Sequence, residues 1–269
     1  MKKIGFIGAG NMAGALIKGL LTAKLYRPQD MLASDTVPVQ LRKVKKTYKV
    51  DGLNNNRAVV REAQTIILAV KQQIIDQVLA EIQSEVTKDK LFISIAAGVP
   101  LHRLETGLGG NARVVRVMPN TPALLGKGIA VVVRGHKAKP QDEKLTLSLF
   151  RGVGEALAVK DEALMDPVTG LSGSGPAYVY LFAEALIAGG IQEGLARAVA
   201  TRLTFQTIEG AVAMLKETGK SPKELRDMVT SPGGTTLAGL SRLAEGQFAE
   251  TVAAAVNAAT RRSKELGQR

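Results

Sequence analysis

Two short glycine-rich segments have the residue types and spacing that bind anionic ligands. Residues 8–13, Gly-Ala-Gly-Asn-Met-Ala, form the GxGxxA pattern of a dinucleotide-binding turn between a strand and a helix. Gly8 permits the tight bend, and Gly10 lets a diphosphate approach the backbone. The helix that begins near Asn11 adds N–H groups and the positive end of its dipole. This segment predicts a dinucleotide cofactor, with a plain strand-to-helix turn as the alternative.

The second segment, residues 231–236 (SPGGTT), precedes a helix-like stretch and predicts a site for a small anion. Backbone N–H groups between Gly233 and Thr235 suit a carboxylate rather than a large polyphosphate. Hydroxyl groups at Ser231 and Thr236 add polar contacts. An ordinary helix-capping loop is the alternative for this segment taken alone.

Asp35 stands where a dinucleotide-binding domain carries its ribose-binding acid, 22 positions after Ala13 and at the end of the second predicted strand. A carboxylate there accepts bonds from a free 2′-hydroxyl and repels a 2′-phosphate, so it favours NADH over NADPH. Two alternatives stay open. Asp35 could cap the next helix, and the basic cluster of Arg42, Lys43, Lys45 and Lys46 could reach a 2′-phosphate.

The elements that position these segments follow from hydrophobic patterning. Strands are predicted over residues 4–7, 30–35, 64–70, 91–97, 112–118, 128–133 and 153–159, with helical stretches between them. Alternating strands and helices predict a parallel sheet with right-handed crossovers. From residue 161 onward no β-rich run occurs, and small residues recur with helical periodicity. We therefore expect an α/β Rossmann domain over residues 1–160 and an all-α helical domain over residues 161–269.

Composition agrees with two folded domains, since 269 residues exceed the usual size of about 150 per domain. With no Cys and only two His, disulfides and thiol nucleophiles are excluded and a metal site is not expected. The net charge of +12 is compatible with nucleic-acid binding. Aromatic residues make up only 4% of the chain and Trp is absent, so we expect no nucleic-acid partner. The longest apolar stretch, residues 177–191, is interrupted by Glu184. We expect no membrane partner and a cytoplasmic location.

Six motifs extend the interpretation over the whole chain. They are GFIGAGNMAGAL at residues 5–16, AVK at 69–71, SIAAG at 94–98, RVMPNTPA at 116–123, GLSGSGPAYVY at 170–180 and VTSPGGTT at 229–236. In this order the chain resembles the pyrroline-5-carboxylate reductase family from end to end. The resemblance implies reduction of the cyclic imine 1-pyrroline-5-carboxylate to L-proline, the last step of proline biosynthesis, by hydride from NADPH or NADH. One departure is Gln72, where the family usually has Pro.

The resemblance also implies roles for individual residues. Thr236 would hydrogen-bond the ring nitrogen of the substrate. Asn120 and Thr121 would lie at the mouth of the site, with plain polar turn residues ahead of Pro122 as the alternative. The substrate carboxylate would be held by Ser231, Gly233, Gly234 and Thr235. The cofactor would be lined by Ile7, Gly8, Ala9, Gly10, Asn11, Met12, Asp35, Asn56, Ala69, Val70, Lys71, Ile95, Ala96 and Ala97. The helical half would form a homodimer or a larger homo-oligomer.

Two other functions are compatible with parts of the pattern. A β-hydroxyacid dehydrogenase shares the first motif and the two-domain plan, but it requires a Lys general acid/base on a C-terminal helix in place of SPGGTT. A protein that binds a dinucleotide without turnover, in regulation or as a scaffold, would share only the first motif. Oxidation of NAD(P)H in the presence of pyrroline-5-carboxylate separates these possibilities.

Overall fold

The computed structural model describes residues 2–268, and their contacts form two compact units. The first unit contains the chain up to Ser174 together with the C-terminal segment that begins at Asn257. The second unit is Gly175–Val256.

The first unit is built on an eight-stranded sheet with the order β3-β2-β1-β4-β5-β6-β7-β8. Strands β1 to β6 are parallel, β7 is antiparallel to β6, and β8 is parallel to β7. The strands are β1 Lys2–Ile7, β2 Met31–Ser34, β3 Asp51–Leu53, β4 Ala63–Leu68, β5 Leu91–Ser94, β6 Arg113–Pro119, β7 Gly128–Arg134 and β8 Gly154–Ala158. The helices are α1 Asn11–Thr22, α2 Pro38–Tyr48, α3 Asn56–Glu62, α4 Ile75–Ile82, α5 Leu101–Gly107, α6 Pro140–Arg151 and α7 Met165–Val168.

Each of the predicted strands occurs, and the α/β Rossmann prediction is confirmed, with two differences. Strand β3 was not predicted, because its three residues, Asp-Gly-Leu, contain no apolar run. The prediction of a wholly parallel sheet is wrong at β7. Only a short 3₁₀ segment, Thr121–Leu125, separates β6 from β7, and a parallel crossover needs about a dozen residues. The chain therefore turns back and pairs antiparallel.

Helices cover both faces of the sheet, which is why the central strands are almost continuously apolar. Ile4 and Phe6 on β1 are fully buried in one core cluster, which also contains Leu16 of α1. The adjacent residue Ile7 lies in the cluster on the other face, with Val59 of α3. Side chains alternate across a strand, so β1 is held between two cores, and the turn after Ile7 lies at the carboxyl edge of the sheet.

The predicted domain boundary after residue 160 differs from the boundary between the compact units. Met165 is fully buried in the second core cluster of the first unit. Arg116 on β6 donates a hydrogen bond to Glu162 (Nη1 to Oε1, 2.7 Å). Ser263 donates to Asp166 (Oγ to Oδ1, 2.6 Å), which ties the end of the chain to the same unit. The helical segment up to Ser174 therefore belongs with the sheet.

The second unit is entirely helical, as predicted for this part of the chain. Its helices are α8 Gly175–Gln192, α9 Arg197–Glu217, α10 Pro222–Met228, α11 Thr235–Glu245 and the first part of α12 Phe248–Gly267. Its buried residues are Ala183, Ala200 and Thr204. Large apolar side chains such as Leu203 and Phe205 are more than half exposed. Within residues 2–268, no helix has the length and apolar character needed to span a bilayer.

Candidate active site

The glycine-rich turn has the geometry of a phosphate-binding loop. Gly8 has a φ of +94°, and a Cβ there would lie 2.6 Å from the carbonyl oxygen of Ala69. Only glycine fits this position. A Cβ at Gly10 would meet no atom within 4 Å, so the space above this backbone is open to a ligand. Helix α1 has no side-chain cap on its N-terminus. The loop therefore fits the diphosphate of a dinucleotide.

A pocket of about 470 Å³ lies along the carboxyl edge of β4 and β5. The parallel pairing extends one residue past each strand here, because the N–H of Ala69 donates to the carbonyl of Ile7 and the N–H of Ile95 donates to the carbonyl of Leu68. The structure brings together here seven of the predicted cofactor residues, namely Met12, Ala69, Val70, Lys71, Ile95, Ala96 and Ala97. The lining is mostly apolar with a few polar groups, the composition that suits the nicotinamide end of a dinucleotide.

Four residues that line this pocket were not among the predicted cofactor residues, although two of them belong to the RVMPNTPA motif and one is the departure from the family pattern. They are Gln72, Gln73, Met118 and Pro119. Gln72 and Gln73 directly follow the AVK motif, so adjacency to that motif was the available signal. Met118 and Pro119 end β6, the next strand after β5 in the sheet. Position at the carboxyl end of a neighbouring parallel strand could have identified them.

Asp35 is tied to the glycine-rich turn. Its Oδ2 accepts a hydrogen bond from the backbone N–H of Ala9, and its Oδ1 accepts one from Val37, both at 2.8 Å. The second bond forms a turn ahead of α2, but the N-cap residue of that helix is Val37 and no side chain caps it, so the helix-capping alternative is wrong. Each carboxylate oxygen can accept a further bond, so the predicted ribose contact is compatible with these contacts and stays a prediction.

A smaller pocket of about 150 Å³ lies beside Gly10, between α1 and α2. Its polar lining includes Lys18 and Lys43. Lys43 is the only member of the predicted basic cluster that lines this pocket, whereas Lys45 pairs with Asp51 (Nζ to Oδ1, 2.5 Å). Ala9 and Asn11 of the predicted cofactor set also lie in this lining. The structure thus brings one positive side chain of the cluster to the phosphate-binding turn.

The side chains of Asn56 and Asn120 are both hydrogen-bonded to other residues of the same chain. Asn56 accepts from Ser34 (Oγ to Oδ1, 2.7 Å) and donates to Glu81 (Nδ2 to Oε2, 2.8 Å). Asn120 accepts from the N–H of Ile129 at 2.9 Å. It also donates to the carbonyl of Ser172 at 3.2 Å. Both side chains brace turns at the carboxyl edge, and their ligand roles stay predictions.

The remaining predicted residues of the first unit differ in exposure. Thr121 is exposed at the start of the 3₁₀ segment. The side chain of Ile7 is buried in the core, and its carbonyl accepts from the N–H of Ala69 at 2.8 Å. For Ile7, only a backbone contribution to the site is compatible with this burial.

The SPGGTT segment lies in the second unit and opens α11. Gly233 has a φ of +70°, and the N–H of Gly234 donates to the carbonyl of Ser231 at 3.0 Å. A Cβ at Gly234 would lie 2.4 Å from Ser231 Oγ, so a larger residue there would displace the Ser231 hydroxyl. Thr235 and Thr236 form the first turn of α11, whose N-terminus has no side-chain cap. A glycine-rich turn is therefore formed ahead of α11, no side chain caps this helix, and anion binding by the turn stays a prediction.

No group of three or more His, Cys, Asp or Glu side chains with metal-binding geometry occurs within residues 2–268.

Comparisons with known proteins agree with this arrangement. Residues 162–266 match the family model described as pyrroline-5-carboxylate reductase dimerisation, and residues 3–98 match that of NADP oxidoreductase, coenzyme F420-dependent. The chain is 44% identical over 268 residues to pyrroline-5-carboxylate reductase of Methanosarcina acetivorans, covering 100% of this chain and 99% of the relative. It is 41% identical to the Arabidopsis thaliana protein of the same name, covering 99% of this chain and 96% of the relative.

The structural comparison agrees along the whole chain. The solved structure of Plasmodium falciparum pyrroline carboxylate reductase with NADP bound has a TM-score of 0.90 and 35% identity, covering 99% of this chain and 98% of that one. The Coxiella burnetii pyrroline-5-carboxylate reductase also has a TM-score of 0.90, with 37% identity and 98% coverage of both chains. These similarities rule out the alternative that the chain is a β-hydroxyacid dehydrogenase. The chain belongs to the pyrroline-5-carboxylate reductase family.

Proposed function

We propose that this chain reduces 1-pyrroline-5-carboxylate to L-proline with NADPH or NADH as the hydride donor. The observation that carries the proposal is the similarity to reductases of that name over the full length of both chains. The open backbone at Gly10 and the pocket along β4 and β5 support the cofactor assignment. Both features lie at the carboxyl edge of the sheet, where open α/β folds bind ligands.

The reaction requires the protein to orient the cofactor and the imine and to polarise the C=N bond, and little else. The bound cofactor supplies a hydride to the carbon of the C=N bond, and the nitrogen ends as an amine after taking up one proton. A protonated imine is already electrophilic, so neither a metal ion nor a strong base is required. The chain has to hold two reactants in contact and stabilise the change in charge on nitrogen.

We assign substrate binding to the SPGGTT segment. The backbone N–H groups of Gly233 and Thr235, with the Ser231 hydroxyl, would hold the substrate carboxylate, while the N–H of Gly234 closes the turn onto Ser231. The Thr236 hydroxyl would contact the ring nitrogen, because it can accept from an iminium and donate to an amine lone pair. The absence of a side-chain cap on α11 supports this assignment, since it leaves the first-turn donors for a ligand.

We further propose that the helical unit pairs with a second copy of the chain. Its few buried residues and its exposed apolar side chains indicate that the unit lacks a sufficient core of its own. The match of residues 162–266 to a dimerisation model supports the same assembly. A two-fold symmetric dimer is the smallest such assembly. A cytoplasmic location stays a prediction from the sequence.

An assay of NADPH and NADH oxidation with 1-pyrroline-5-carboxylate tests the activity, with proline identified as the product. We expect oxidation that depends on the imine and produces one proline per cofactor consumed. Binding of the cofactor without turnover would instead support the non-catalytic dinucleotide binder. A control without the imine measures background oxidation.

A further inference from the structure

A cavity of about 980 Å³ lies at the edge of the sheet opposite the cofactor pocket. Its walls are the segment before β5, the start of β6 and the segment after β7, which meet at this edge because β7 is antiparallel to β6. Arg113 at the start of β6 lines this cavity, and Pro119 at the end of β6 lines the cofactor pocket. At about 3.3 Å per residue, the strand separates the two by about 20 Å. We call the first the amino-edge cavity.

The lining of the amino-edge cavity is basic. Asp89 is its only acidic residue among the described part of the chain. Hydrogen bonds from the Thr87 side chain and from its own backbone hold the pKa of Asp89 below its usual range, so this carboxylate is bonded within its own turn. Half of the eight lining residues are cationic, namely Lys88, Arg113, Lys137 and Lys139.

The acids that follow this lining in the chain are already bonded to other groups. Asp142 accepts from Arg113 (Nη1 to Oδ1, 2.5 Å), and Glu143 accepts from Arg134 (Nε to Oε2, 3.0 Å). The ammonium groups of the three lining lysines form no ion pair with a carboxylate of residues 2–268. All three side chains are exposed. Three positive charges at this cavity are therefore left without a protein counter-ion.

One ion pair fixes the two loops that carry these lysines. The Arg113 guanidinium donates to the backbone carbonyl of Asp89, in the loop before β5. Its partner Asp142 is buried and accepts from the backbone N–H of Lys139 at 2.7 Å, in the loop after β7. The Arg113–Asp142 pair thus holds both walls by their backbones and leaves the lysine side chains for a ligand. Such preorganisation lowers the cost of binding.

The chemistry of the lining indicates the kind of ligand. A cleft lined by one sign of charge concentrates counter-ions of the opposite sign, and lysine is a common phosphate-binding residue. The volume is that of a small-molecule site, and cations stand on two walls, so there is room for more than one phosphate group. The described lining contains no aromatic ring on which a base could stack.

We propose that the amino-edge cavity binds the phosphate chain of a small polyphosphate, with Lys88 on one wall and Lys137 and Lys139 on the other. Such a site is independent of the proposed function, because it lies at the opposite edge of the sheet from the cofactor pocket. The shared chemistry is a run of linked phosphate groups, carried by inorganic triphosphate or by a nucleoside triphosphate.

Calorimetry with inorganic triphosphate tests the site on the full chain saturated with NADPH. The cofactor then occupies the glycine-rich turn, which is the other place where a phosphate chain would bind. We expect each single Lys→Gln change in the cavity to weaken binding about 2- to 5-fold and the triple change to weaken it about tenfold or more at about 0.15 M ionic strength. The triple variant is Lys88→Gln, Lys137→Gln and Lys139→Gln.

A second triple variant controls for the loss of net charge. It changes three exposed lysines that do not line this cavity, namely Lys24→Gln, Lys160→Gln and Lys220→Gln. We expect less than about a twofold effect on triphosphate binding, because screening weakens distant charges. Equal weakening in the two triple variants, or no weakening in either, would overturn the proposal. So would wild-type binding that is seen only at low ionic strength, where any basic protein attracts polyanions.

Thermal unfolding gives a second measurement, because a ligand that binds only the folded state raises Tm. We expect triphosphate to raise the Tm of the wild type and of the control variant, and to raise that of the cavity variant much less. Arginine at the same three positions keeps the charge and should restore the increase. A lysine-to-arginine variant that lost binding as fully as the glutamine variant would overturn recognition by charge.

Two further ligands identify the source of the phosphate chain. Equal affinity for ATP and inorganic triphosphate would support recognition of the phosphate chain alone, and tighter binding of ATP that is lost in the cavity variant would support a nucleotide. A short single-stranded oligonucleotide should bind more weakly than either. If it bound more tightly than triphosphate and lost that binding in the cavity variant, a small ligand would be the wrong occupant.

Discussion

The carboxylate of Asp35 accepts a hydrogen bond from the backbone N–H of Ala9 at 2.8 Å, joining the end of β2 to the glycine-rich turn. The contact places a negative charge next to the loop that approaches the cofactor. The second carboxylate oxygen accepts from Val37 at the start of the chain segment leading into α2. Asp35 therefore shapes the turn and also determines the charge that a cofactor meets there.

Cofactor preference should follow from this charge. We expect kcat/KM for NADH to equal or exceed that for NADPH in the wild type, because the carboxylate repels a 2′-phosphate. Asp35→Ser should shift the preference toward NADPH by about 1 kcal/mol or more. Asp35→Asn is the matched control, since it keeps an acceptor for the Ala9 N–H without the charge. Steady-state kinetics with both cofactors measure the shift.

A wild type that prefers NADPH by about tenfold, or about 1.4 kcal/mol, would contradict this prediction. Lys43, in the pocket beside Gly10, would then be the residue to test as the phosphate contact. Lys46 lies on the same helix without lining that pocket, so Lys46→Gln serves as the control for Lys43→Gln.

Thr236→Val should remove one polar contact and keep the shape of the side chain. Hydride transfer changes the charge on the ring nitrogen, and a methyl group can neither accept from an iminium nor donate to an amine. We expect a loss of about 1–3 kcal/mol in kcat/KM. Cofactor affinity should stay near that of the wild type. If the variant kept the full kcat/KM, the role of Thr236 would be limited to forming the first turn of α11.

The helical unit should be a dimer interface in solution. We expect light scattering to give at least twice the 28.4 kDa mass of one chain at working enzyme concentration. Leu203→Asp on α9 places a charge among exposed apolar side chains and should shift the protein toward monomer. Lys220→Asp, on an exposed polar segment, is the control. A fully active species with the mass of a single chain would rule out the interface.

A surface ion pair between α4 and α5 should contribute to stability in a pH-dependent way. Arg103 donates from Nε to Asp76 Oδ1 at 2.8 Å, and this bonding lowers the pKa of Asp76. A lowered pKa in the folded state stabilises the protein above the ordinary pKa of an aspartate, and the effect is lost as pH falls through the lower value. Because Asp76 is largely exposed, the contribution is about 0.5 kcal/mol or less.

Urea unfolding of the wild type and of Asp76→Asn measures this contribution. We expect the difference in unfolding free energy to be present at pH 7 and to shrink toward zero at strongly acidic pH. A difference that stays constant across this range would mean that the variant acts through packing and not through charge.

The spacing of apolar residues and glycines along the sequence was enough to predict the elements that depend only on nearby residues. The GxGxxA turn, the strand before it and the helix after it were predictable, because hydrophobic periodicity and glycine conformation are short-range properties. The same holds for the helical character of the second half. The glycine-rich turn before α11 was predictable for the same reason, whereas the absence of a side-chain cap on that helix was not. The order of motifs was sufficient to indicate the family.

Tertiary structure alone decided the contacts between distant parts of the chain. The antiparallel course of β7 depends on the length of the connection after β6. Ser263 and Asp166 meet although 97 positions separate them, and their bond ties the end of α12 to α7. Local propensity carries no information about such a meeting, because it results from the way whole elements pack. The sequence thus determined the cofactor-binding turn, and tertiary packing decided that the end of α12 belongs with the sheet.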